Sequence, residues 1–218
     1  GLFFTKAARP ESFVQHGGVA SPDISHSHVT VHSKQIRLDG AQSGQHSRAD
    51  FPNISEAVVS TQLADTVALL GDLIAFPTVS EVSNLDMIAY LAHRLEADGA
   101  RVDIFHDEIG HKANLFATIG PDTDGGIVLS GHSDVVPVDE QDWASYPFEM
   151  TEDRGLLYGR GTCDMKGFIA AAVAMAPYFA ERVRDRPVHF AFTYDEEVGC
   201  FGAQALVDSL KQKGIRPG

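Results

Sequence analysis

Residues 129–137 read LSGHSDVVP, and in them an apolar run passes directly into His132 and Asp134. Burying an unpaired charge is expensive, so such groups normally face a metal, a substrate or another side chain. Side chains two apart on an extended chain share a face, so both can point into one crevice. In α/β proteins that crevice, beyond the carboxyl end of a strand, is where ligands usually bind. A second stretch, YGRGTCDMKG at 158–167, uses Gly159 and Gly161 to turn tightly and delivers Asp164 just before an Ala-rich segment. A helix N-cap would select an Asp there as well. The spacing and the missing Lys-Ser/Thr ending exclude a phosphate-binding loop. A third stretch, FTYDEEVG at 192–199, ends another apolar run in Asp195, Glu196 and Glu197. Three adjacent acids repel one another unless something positive sits among them. Taken singly, the three stretches read as a hydrogen-bonded pair, a cap and a solvated turn. Their repetition points to chemistry. If they converge, His132, Asp164 and Glu197 supply the nitrogen and oxygen ligands that a borderline cation such as Zn²⁺ accepts.

Elements able to position these residues are visible from residue 53 onward. Leu63, Val67, Leu70 and Ile74 recur at helical spacing, Pro77 stops that helix, and FPTVS follows as a loop. A second helix is expected from about Asn84, with Ile88, Leu91 and Leu95 as its apolar stripe and Gly99 as its C′ residue. Val102 and Ile104 alternate with polar neighbours as in a short strand, and Leu115 to Ile119 reads as another. Ile127 to Ser130 is uniformly apolar, which predicts a central strand. A long Ala-rich helix from about Lys166 to Phe179 precedes a strand at Val188 to Tyr194. Helices alternating with apolar strands indicate an α/β layered sheet.

Composition narrows the function classes. The chain has 218 residues, 44% hydrophobic, enough for a real core. Thirty acids against 17 bases give a formal charge of −13, a surface that repels phosphate backbones and argues against nucleic-acid binding. Two cysteines, Cys163 and Cys200, do not make a disulfide framework and suit a reducing, cytoplasmic setting. The longest apolar run, Phe168 to Ala180, is interrupted by Pro177 and falls short of the roughly 20 residues of a membrane span. Residues 1–53 lack any sustained period, hold five of the ten His residues, and read as a disordered extension. His26, His28 and His32 within them are spaced for a weak metal site, but the tail reading is preferred. The chain opens on Gly and closes on a turn-like KGIRPG, so it is expected to be the N-terminal part of a longer protein.

The motifs HSDVVP, GRGTCDMKG and DEEVG, in this order, resemble those of the dinuclear-zinc deacylase and carboxypeptidase family. His132 and Asp164 are 32 residues apart, Asp164 and Glu197 33 apart, and the resemblance covers about residues 60–218. The wording GRGTCDMKGF and DEEVGCFGA is most similar to the acetylornithine deacetylase branch. The resemblance implies a layered α/β/α zinc-peptidase-like domain with a mixed, largely parallel central sheet, incomplete at its C-terminal end. It makes residues 54–218 the N-terminal part of a catalytic domain. His132, Asp164 and Glu197 would be metal ligands, Asp164 bridging two zinc ions, for which cobalt is a substitute. Asp134 would hold the second ring nitrogen of His132, and Glu196 would be the general base acting on metal-activated water. The implied reaction is hydrolysis of a small N-acyl amino acid, N-acetylornithine to ornithine and acetate in arginine biosynthesis. The alternatives are N-succinyl-diaminopimelate, a C-terminal glutamate peptide, or a scaffold without metals. The complete protein would be a cytoplasmic homodimer. This chain, with only part of the ligand set, would bind zinc weakly and turn over little. Cys163 is expected to be a small buried residue rather than a ligand, Arg160 and Lys166 to be structural or at the surface, and Trp143 and Tyr146 to pack.

Overall fold

The computed structural model describes residues 3–4 and 56–217. Phe3–Phe4 apart, the first 53 residues lie outside the described residues, and the His26–His28–His32 spacing lies there with them. Twelve elements follow one another: β1 (Phe3–Phe4), α1 (Glu56–Ile74), α2 (Leu85–Ala97), β2 (Arg101–His106), β3 (Ala113–Ile119), β4 (Ile127–His132), β5 (Thr151–Asp153), β6 (Leu156–Tyr158), α3 (Lys166–Ala174), α4 (Ala176–Arg182), β7 (Val188–Thr193) and α5 (Phe201–Lys213). The main sheet has four strands in the order β2-β3-β7-β4, and a small second sheet is ordered β1-β6-β5.

The main sheet is mixed but mostly antiparallel, which corrects the largely parallel expectation. Strands β2 with β3 and β3 with β7 run antiparallel. Among the described residues only β4 runs parallel to its neighbour β7 in this sheet. An apolar run records that a strand is buried, and it does not record the strand's direction. For the same reason the central place predicted for Ile127–Ser130 is wrong among the described residues. There β4 lies at the edge, and Ile127 is 64% exposed. The central strands are β3 and β7, every residue of which is buried.

Alternation along these two strands builds two apolar layers. Leu115, Ala117, Ile119, Phe190 and Phe192 face a large core with residues of α1, α2, α3 and α4. Phe116 and Ala191 face the other way and pack with Leu206 and Leu210 of α5. The result is helix, sheet, helix. The stripe expected on α2 is in place, with Ile88, Leu91 and Leu95 almost fully buried. On α1 the stripe is rotated: Leu70 and Ile74 are fully buried beside Leu69 and Leu73, whereas Leu63 is 46% exposed. The Ala-rich helix is two helices, because Pro177 cannot continue the hydrogen-bond ladder of α3 and instead sits in the first turn of α4. Helix α5 and the β5–β6 hairpin were not anticipated from the sequence. Among the described residues no helix is long and apolar enough to cross a membrane.

Candidate metal centre

The parallel pair β4–β7 positions the site. Because β4 and β7 run the same way in register, His132 lies opposite Thr193 and both strands end at one rim. The chain leaving β4 carries Asp134, and the chain leaving β7 carries Asp195, Glu196 and Glu197. The third contribution comes from the turn before α3. Gly161 lies there at φ 92°, a left-handed conformation that favours glycine, and a Cβ added to it would meet the side chains of Val135 and Lys166 at about 3 Å. That turn brings Asp164 to the same rim.

His132, Asp164 and Glu197 each offer a ligand atom, and these atoms all lie within 4.8 Å of one another. His132 is 4% exposed, and its Nε2 stands 3.1 Å from Asp164 Oδ1 and 3.7 Å from Glu196 Oε2. Asp164 caps no helix. The N-cap position of α3 is Met165, and the Asp164 side chain is 75% exposed and directed at the imidazole. Glu196 and Glu197 lie in a turn rather than on an extended strand.

Asp134 stands against the second ring nitrogen of His132 and serves the acidic turn as well. The nearest partner of His132 Nδ1 is the backbone carbonyl of Asp134 at 2.9 Å, with the Asp134 carboxylate at 3.4 Å. That carboxylate also accepts hydrogen bonds from Ser80 Oγ at 2.7 Å, from Glu196 N at 3.0 Å and from Glu197 N at 3.2 Å. It therefore orients the imidazole and the acidic turn together.

The electrostatics ask for a cation. Burial alone would lower the His132 pKa, but hydrogen bonds and charge from Asp134, then Asp164, outweigh it and raise it to about 9. Burial would raise Asp134, yet its donors, His132 first and then Ser80, hold it at about 2. Glu197 is raised, first by burial and next by the charge of Asp164. A divalent ion placed among these groups would displace the proton from His132 and turn the carboxylate repulsion into attraction. One nitrogen and two carboxylate donors suit Zn²⁺, so the residues present fit the implied metal.

A cavity of about 200 Å³ adjoins the cluster, lined by Trp143, Arg160, Cys163, Asp164 and Glu197 among others. Cys163 is exposed, not buried as expected. Arg160 and Lys166 are buried and structural. Arg160 stacks over Trp143 at 4.9 Å and donates to Pro137 O and Gln141 Oε1. Lys166 Nζ donates to the carbonyls of Leu73 and Phe76 at 3.0 and 2.6 Å. Tyr146 is 66% exposed and meets Phe148 edge-on rather than joining the core. Two residues that touch this machinery, Ser80 and Lys112, had no mark in the sequence, since a Ser in a loop and a Lys before a strand are ordinary there.

Comparison with known proteins agrees with this geometry. Residues 128–218 match Peptidase family M20/M25/M40. An acetylornithine deacetylase of Proteus mirabilis (strain HI4320) is 38% identical over 166 residues, 73% of this chain and 42% of that protein. An acetylornithine deacetylase of Myxococcus xanthus is 42% identical over 147 residues, 65% of this chain and 38% of that protein. The crystal structure of human carnosine dipeptidase 1 superposes with a TM-score of 0.63 at 26% identity, covering 74% of this chain and 39% of that one. The chain thus spans about two fifths of the length of the curated relatives it matches.

Proposed function

We propose that the chain, whose residues 128–218 match Peptidase family M20/M25/M40, is part of a metal-dependent hydrolase that cleaves the amide bond of an N-acyl amino acid, N-acetylornithine above all. The observation that carries this reading is the meeting of His132, Asp164 and Glu197 within 4.8 Å at the rim where Glu196 also stands. His132, Asp164 and Glu197 would hold the metal, zinc by the chemistry of the donors. A bound zinc supplies Lewis acidity, polarising the amide carbonyl and making water acidic enough to lose a proton near neutral pH.

The chain's own residues supply the rest. Glu196, with a side chain 46% exposed, stands with its Oε2 3.7 Å from His132 Nε2 and can take a proton from water and return it to the leaving amine. Asp134 keeps the imidazole and both glutamates in register. The two acetylornithine deacetylases support N-acetylornithine as substrate, and the likeness to carnosine dipeptidase 1 makes a dipeptide the second candidate.

The test uses the complete protein supplied with Zn²⁺ and a panel of N-acetylornithine, N-succinyl-diaminopimelate, a C-terminal glutamate peptide and a dipeptide, with amine release as the readout. Fastest release from N-acetylornithine is the expected result; release from none of them refutes the reading. Glu196→Gln should keep the metal affinity and lose at least about 100-fold in kcat, the usual worth of a positioned base. An unchanged rate would remove Glu196 from the mechanism.

A further inference from the structure

The turn that carries Glu196 and Glu197 is gripped from two sides. On one side the Asp134 carboxylate accepts both of their backbone N–H groups. On the other stands Lys112, whose Nζ pairs with Asp195 Oδ1 and donates to the backbone carbonyl of Ser80. The grips are joined, because Ser80 Oγ donates to Asp134 Oδ2 at 2.7 Å. One polar chain therefore runs from Asp195 through Lys112, Ser80 and Asp134 to His132.

We propose that Lys112 is a positioning residue for the metal centre: its pairing with Asp195 holds the 195–197 turn where Glu197 meets His132 and Asp164. The inference rests on the metal reading given above. Three observations carry it. Lys112 is only 9% exposed, and a cation that buried needs a partner. Asp195 lies at φ 55°, in the left-handed region that few non-glycine residues adopt unless surrounding structure holds them there. The turn also carries Glu196 and Glu197 next to Asp164, so mutual repulsion favours its opening. Lys112 opposes that opening from a rigid base. It immediately precedes the buried strand β3, and the segment it grips at Ser80 is itself tied to the end of β4, through Ser80 N to Val135 O and Val135 N to Thr78 O.

The test compares the 218-residue chain with Lys112→Met, Asp195→Asn, the double variant and Lys112→Arg. Hydrogen exchange of the metal-free chains is followed by mass spectrometry, and Co²⁺ binding by its d–d absorption. Either single variant should raise exchange at residues 194–199 about ten-fold while α1 and β3 keep parental rates, and should weaken Co²⁺ binding by about ten-fold or more. The double variant should be no worse than the singles, since both act through one pair. Lys112→Arg, which keeps the charge, should recover most of the affinity. Parental exchange and parental Co²⁺ affinity in both single variants would overturn the proposal alone. So would loosening spread evenly over the fold, which would make Lys112 an ordinary buried pair. A parent chain without d–d bands at millimolar Co²⁺ would sink the metal reading and this proposal with it. If Lys112→Met does not fold, Asp195→Asn decides by the same two readouts.

Discussion

Replacing Asp134 by Asn removes a charge and almost no volume, so it isolates what the carboxylate does. Its two oxygens are divided: Oδ1 accepts Glu196 N, and Oδ2 accepts Glu197 N and Ser80 Oγ. An Asn has one oxygen. Whichever way the amide is turned, its NH₂ meets a backbone N–H that cannot become an acceptor, whereas the Ser80 hydroxyl can rotate. One backbone donor is therefore orphaned and the remaining bonds lose their charge assistance. Bonds to a charged group are worth about 1.5–3 kcal/mol, and an orphaned donor costs about 1–3 kcal/mol, so the loss should be about 3 kcal/mol. For a fold of this size that lowers Tm by about 6–12 °C. Calorimetry and urea titration of chelator-treated chains measure it. Ser80→Ala, which forfeits one neutral donor, should lose only about 1 kcal/mol. The pH dependence has a definite sign. The folded Asp134 carboxyl is held at about 2, below its unfolded value near 4, so its stabilisation is complete above pH 4 and disappears as pH falls toward 2. The gap between parent and variant should close over that range. A Tm shift under about 2 °C at pH 7, or a gap that does not depend on pH, would show that the carboxylate does not organise the turn.

Other outcomes follow from the same structure. Gly202→Ala should destabilise the chain by several kcal/mol in urea titration, because a Cβ there would meet Tyr194 O at 2.4 Å and Tyr194 N at 2.6 Å, both backbone atoms unable to yield. Phe190→Ala empties a fully buried position between the helices and the sheet and should cost about 3–5 kcal/mol by the same measurement. His189 is buried, stacked on Phe116 and bonded to Thr118 Oγ1 and Gly125 O, and burial lowers its pKa. A folded pKa below the unfolded one means stability falls as pH drops below about 6.5. His189→Gln should flatten that decline between pH 7 and 5, and a decline of unchanged slope would refute the assignment.

The helices and strands were largely legible because their cause is local. Ile88, Leu91 and Leu95 repeat at helical spacing, and each is buried in α2. Val188 to Thr193 is a short apolar run, and it is β7. The three metal-ligand candidates were legible for another reason: costly residues at the ends of apolar segments need a common partner, and HSD, CDMKG and DEEVG, in that order, are the stretches that carry the family resemblance. Strand direction was not legible. The side-chain pattern of β3 is the same whether its neighbour runs up or down, and only the pairing with β2 and β7 shows it to be antiparallel to both.

The amino-acid order alone settles which groups are available, namely an imidazole, four carboxylates beyond strand ends and a fifth after a tight glycine turn, and hence which chemistry the chain could support. Whether those groups meet was decided by the fold. Separations of 32 and 33 residues close to within 4.8 Å because β4 and β7 pair in parallel and end at one rim, to which the turn before α3 brings Asp164. Lys112 and Ser80 entered the site the same way. Each is an unremarkable polar residue among its chain neighbours. Its meaning lies in a partner 83 residues away for Lys112 and 54 for Ser80, and the physics that joins such residues is long-range burial and charge pairing.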